Sequence, residues 1–128
     1  MMTAHHPAST RSGPPRPDEI RDMILSDHCE MRARLDRLGR LLDRERVEDH
    51  GDQVGMAQAE FRGLAQFFAA HLDFEDRFLA PLLREDYAWG DVRADAMLEH
   101  HEEQRKELTE LGALIDNRAR GRHQKVAA

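Results

Sequence analysis

The chain has 128 residues, a formal net charge of -6, 40% hydrophobic residues and 34% charged ones. That suits one compact domain with a modest core under a heavily charged surface. The acidic balance argues against a nucleic-acid-binding face, and no apolar run approaches the roughly 20 residues of a membrane span.

Residues 1–17, "MMTAHHPASTRSGPPRP", lack the apolar stretch of a secretory signal and read as a disordered lead-in. The single cysteine, Cys29, permits no intrachain disulfide and fits a reducing cytoplasm. No strand-like alternation is present; three long helical segments are. The first is expected from about Asp18 to about Arg46, with Pro17 and Asp18 as its start signal. Its seam is Ile24, His28, Met31, Leu35, Leu38 and Leu42, at spacings that alternate four and three. A loop around "EDHGDQVG" is expected next, then a second helix from about Gly55 to Asp86. Its stripe is Phe61, Leu64, Phe68, His71, Glu75, Phe78 and Leu82, with Pro81 near the end, where a kink or a stop costs least. The third helix is expected from about Asp91, as N-cap, to Arg118, with the stripe Ala94, Met97, His101, Gln104, Leu108, Leu111 and Ile115. The remainder, 120–128, is basic and expected to be a flexible tail. The fold expected is all-α: an antiparallel bundle of three long helices over residues 18–119.

Each helix thus places one histidine on its own apolar stripe: His28, His71 and His101. The second stripe adds Glu75, one turn after His71. A lone core histidine is most often a hydrogen-bonded structural residue, and His71 with Glu75 makes a plausible i, i+4 pair. Together the four are harder to explain. Left unpaired in one core they would cost several kcal/mol, and neutral imidazoles, with one donor and one acceptor each, cannot satisfy one another. A bound transition metal resolves this, and imidazole with carboxylate suits iron, zinc, manganese or copper. The off-stripe His100 reads as a boundary residue. His5, His6, His50 and His123 read as solvated. Without metal, buried histidines are expected to charge in mild acid and loosen the fold. Other chemistries fit worse: there is no Glu-x-x-His, no His-Glu-x-x-His, no phosphate-binding glycine loop and no nucleophile elbow.

The segment "HLDFEDRFLAPLL" resembles the second helix of the hemerythrin-like, or HHE cation-binding, family: His71, Glu75, Asp76, Leu79, Pro81 and Leu83 stand where that motif has its histidine, acids, apolar residues and proline. "SDHCEMRARLDRL" and "LEHHEEQRKELTEL" resemble the first- and third-helix segments, each a histidine followed by a leucine ladder. The resemblance spans roughly residues 20 to 116. It implies a non-haem di-iron site ligated by His28, His71, Glu75 and His101, serving to bind or sense oxygen, nitric oxide or redox state, or to handle iron, without turnover. The family's usual fourth helix, with a second His-x-x-x-Glu, has no counterpart before Ala128. A second copy of the chain is expected to complete the bundle; alternatively the site holds a single ion, or none. The rival reading is a metal-free helical module whose apolar stripes dock a partner's helix.

Overall fold

The structure, a computed structural model, describes residues 13–48, 51–86 and 88–127. They form α1 (Pro17–Glu48), α2 (Gly51–Phe74), a π-helical turn (Glu75–Leu79), α3 (Ala80–Asp86) and α4 (Gly90–Ala127). The described residues include no strand and are helical almost throughout, in three long helices, as the periodicity implies. No helix among them is long and apolar enough to cross a membrane.

The start of α1 lies one residue earlier than expected. Pro17 takes the first helical position, where its missing N–H leaves no bond unmade. Glu19 reaches back to accept a hydrogen bond from the Arg16 backbone N–H at 2.8 Å, half of a capping box. Two other boundaries move outward by several residues. The helix α2 begins at Gly51, so most of the expected loop is helical; Asp49 and His50 lie outside the described residues. The expected tail continues α4 to Ala127. Arg, Gln, Lys and Ala are good helix formers, and basic residues suit the C-terminal end of a helix dipole. Of the expected lead-in, only residues from Gly13 on are described, and Pro17 already belongs to α1.

Pro81 does not end the second helix. A proline cannot donate to the carbonyl four residues back, and its ring would crowd that carbonyl. The chain widens by one residue just before it: the Ala80 N–H bonds to the Glu75 carbonyl, a five-residue step. The helix then resumes as α3. Glu75 and Asp76 therefore lie on the widened turn itself.

The core forms where α2 packs against both α1 and α4. Leu38, Ala57, Phe61 and Leu64 are buried together, flanked by Leu41, Leu42, Leu108 and Ile115. Polar ties follow the same pairing: Arg37 to Glu60 at 2.9 Å and Gln58 to Asp116 at 2.6 Å. Two expected seam residues are not covered. Leu35 is 51% exposed and Leu111 is 48% exposed, while Phe67 rather than Phe68 is buried in α2. The physical reason is that α1 turns toward α2, burying Asp27, Met31 and Leu38. The outer edge of its stripe faces the space between α1 and α4.

The α3–α4 turn is tight. Trp89 adopts φ 64, a left-handed conformation that costs a bulky residue energy. Beside it, a Cβ on Gly90 would collide with the Leu83 backbone carbonyl, so only glycine fits. Arg84 spans the turn to Asp91 and Asp95 at 3.2 and 2.7 Å. Asp91 therefore pairs with a cation inside the first turn of α4 instead of capping it.

Candidate metal centre

The four residues singled out on the seams converge on one cleft. His28, His71, Glu75 and His101 line it, with a volume of about 400 Å³, together with Met31, Phe68, His100 and Gln104. His71, Glu75 and His101 are buried, and His28 is half-buried. One oxygen organises the centre. Glu75 Oε1 lies 3.3 Å from His71 Nε2 and 3.1 Å from His101 Nε2. The His28 ring stands edge-on to His71, with centroids 5.0 Å apart. A nitrogen of His28, a nitrogen of His71 and an oxygen of Glu75 all lie within 4.8 Å of one another, close enough to share an ion.

Two further carboxylates hold the rings from behind. His71 Nδ1 is 2.9 Å from Asp27 Oδ2, and Asp27 is only 1% exposed. His101 Nδ1 is 2.5 Å from Asp76 Oδ1, and Asp76 in turn accepts from Arg105 at 2.6 Å. Arg105 also bonds Asp73 and Glu102. Each ring is thus oriented through Nδ1 and presents Nε2 to the shared oxygen. Carboxylates placed behind imidazoles in this way commonly fix the tautomer and raise the basicity of a metal-facing nitrogen.

Proton counting shows what the arrangement demands. A neutral imidazole carries one N–H, but His71 and His101 each face a carboxylate at both nitrogens. If Nδ1–H donates to the aspartate, the Nε2 lone pair points at a carboxylate oxygen. Such a contact between two acceptors is stable only with a cation between them, either a proton or a metal ion. The local electrostatics act in the same direction. Burial pulls His71 down, but hydrogen bonds to Glu75 and Asp27, and their charges, raise it above its ordinary value. Burial pushes Glu75 up, yet the bond to His71 and the charges of His71, His101 and His28 hold it below the usual carboxylate range. Asp76 is likewise held low, against burial, by Arg105 and His101. For His71 the two carboxylates work against the expectation that a buried histidine loosens the fold on charging, because they favour its charged form.

Comparison with protein-family models, with curated proteins and with solved structures finds no match to this chain. The assignment of the cleft rests on its own chemistry. His100 is exposed at its mouth, apart from the carboxylate set that holds the other rings. Gln104 is half-buried on its wall. His5, His6 and His50 lie outside the described residues. Sequence reasoning placed Asp76 among the acids of the second-helix motif but gave neither Asp76 nor Asp27 a part in orienting a ring. The signal was available, because Asp27 directly precedes His28 and Asp76 directly follows Glu75. It was missed because both sit one position off the apolar stripes.

Proposed function

We propose that this chain is a hemerythrin-like metal-binding protein that holds non-haem iron through His28, His71, Glu75 and His101. Its role is to bind or sense oxygen, nitric oxide or redox state, or to handle iron, in the cytoplasm and without turnover. The observation that supports this best is the shared Glu75 oxygen, approached by the Nε2 atoms of both His71 and His101 while an aspartate holds each Nδ1. Three carboxylates around two imidazoles form a trap for a cation, and nitrogen with carboxylate donors suits iron, with zinc or manganese also accommodated. Iron bound there would supply reversible ligation of a diatomic molecule or one-electron redox chemistry. The protein's part is to bind the ion, to orient two rings through Asp27 and Asp76, and to keep Glu75 ionised. The π turn supports the reading, since such bulges are frequent at functional sites. So does the pairing order, in which residues ascending in α1 and α4 meet residues descending in α2, as in an antiparallel hemerythrin-like bundle.

Metal analysis of the purified protein, followed by titration of the stripped protein with ferrous, zinc and manganous ions, tests the reading. About stoichiometric metal, lost on Glu75→Ala, is expected. A protein that binds none of the three ions would remove it. The metal-free interaction module then stands, supported by the uncovered leucines of α1 and α4.

A further inference from the structure

An apolar groove of about 560 Å³ runs between α1 and α4, with α2 as its floor. Leu38, Phe61 and Leu64 lie at its base; Leu35 on α1 and Leu111 and Leu114 on α4 form its lips. Leu114 is 64% exposed, more than either other lip leucine. The groove runs on into the histidine cleft, because Phe68 and Gln104 line both. Its shape, two parallel helical walls over a helical floor, suits a helix with an apolar stripe. What fills it is indicated by α4.

Along its lip α4 presents Glu107, Leu111, Leu114 and Arg118, all exposed and all lining the groove. The spacings of four, three and four keep them on one stripe. This stripe is its own complement when reversed. Laid antiparallel on a second copy, with a two-fold axis between Leu111 and Leu114, it puts each Leu111 against the partner's Leu114 and each Glu107 against the partner's Arg118. The pattern extends outward in the sequence. Glu99, Glu102, Glu103, Glu107 and Glu110, with Arg105 and Lys106 among them, precede the apolar segment "LGALI", and Asp116, then Arg118, Arg120, Arg122 and Lys125, follow it. Arg105, within the acidic half, is turned to Asp73 and Asp76 on the α2 side. The half of each α4 with a net negative charge therefore meets the half of the other with a net positive charge. A parallel pairing would set halves of like net charge together.

We propose that the groove is an interface between two copies of this chain, made by antiparallel pairing of α4 on α4, with Leu111 and Leu114 of each copy seated in the groove of the other. An isologous contact of this kind closes on itself and yields a dimer. The partner's helix would also abut the histidine cleft at Phe68 and Gln104, restricting solvent access to it. The pairing rests on the α4 stripe and the groove, so it stands or falls apart from the metal reading.

Light scattering on the purified full chain tests it. The wild type is expected at the mass of two chains. Leu111→Glu with Leu114→Glu is expected at the mass of one, with helical circular dichroism unchanged, since both residues are exposed lips. Charge exchange identifies the register. Glu107→Arg alone, and Arg118→Glu alone, should each weaken the dimer about tenfold, because two symmetry-related pairs turn repulsive. The double exchange, Glu107→Arg with Arg118→Glu, should restore wild-type affinity. A wild type of single-chain mass overturns the proposal. So does a dimer that survives both glutamates, or a double exchange no tighter than the singles.

Discussion

Asp27→Asn isolates the orienting carboxylate behind His71 while keeping its shape. Asp27 is buried and its Oδ2 lies 2.9 Å from His71 Nδ1. The asparagine carbonyl can still accept that hydrogen bond, so the ring keeps its place and its tautomer. Only the negative charge is lost. Removing a partner of this kind from a metal-bound histidine typically weakens metal binding by about 10–100-fold, or about 1.4–2.7 kcal/mol. With metal in large excess, the stabilisation that metal confers on the fold falls by the same amount. At about 3–4 °C per kcal/mol for a chain of this size, the metal-induced rise in melting temperature should shrink by roughly 5–10 °C. Asp27→Ala should do more, because a buried N–H without a partner costs about 1–3 kcal/mol even in the metal-free protein. The assay is a competitive titration against a coloured chelator, paired with thermal melts with and without metal. If Asp27→Asn binds as tightly as wild type while Glu75→Gln loses the ion, Asp27 does not tune the site. The 2.9 Å bond is then only structural.

Three further outcomes are expected. His71→Ala should abolish metal binding and His123→Ala should leave it intact; metal content measured on both variants decides, and equal behaviour would undo the ligand assignment. For the metal-free protein, the raised pKa of His71 contributes stability that is full below about pH 6.5 and is lost as pH rises through its folded value. The lowered pKa of Glu75 contributes stability that is full above about pH 4.5 and is lost as pH falls through its own. Metal-free melting temperatures should therefore peak in mild acid, while bound metal, which competes with those protons, should move the optimum toward higher pH; a metal-free curve that climbs steadily from pH 5 to 8 would contradict the proton count at the centre. At the α3–α4 turn, Trp89→Gly should stabilise by about 1 kcal/mol by relieving a left-handed backbone at a residue that is 76% exposed, whereas Gly90→Ala should destabilise by about 1–3 kcal/mol through its clash with the Leu83 carbonyl; chemical denaturation of the two variants checks both signs.

The helix count and the inward histidines were legible in the sequence because both follow from a 3.6-residue period. His71, Glu75 and His101 sit on stripes drawn through leucines and phenylalanines, and burial follows those stripes. Three features were not legible. Helix ends depend on a few backbone bonds, so Gly51 and Ala127 extend segments whose composition gave only weak stop signals. Cover depends on neighbours, so the period alone could not reveal that Leu35 and Leu111 face a groove. The orienting aspartates lie off the stripes and act across helices, Asp27 from α1 onto α2 and Asp76 from the π turn onto α4. A periodicity argument assigns faces and says nothing of such cross-helix pairs.

Pro81 illustrates how a local rule serves the site from outside it. Taken as a helix breaker, it marks the end of the second helix. In the fold the helix swells just before it, over Glu75–Leu79, rather than stopping. An ordinary helical turn sets adjacent residues about 100° apart, and the wider turn brings Glu75 and Asp76 somewhat closer in direction. On the widened turn both reach His101, Glu75 at Nε2 and Asp76 at Nδ1. Glu75 still meets His71 on the preceding turn. The proline, the π turn and the adjacent acids therefore form one device, which lets a single stretch of chain supply both the anion shared by two rings and the anion that orients one of them.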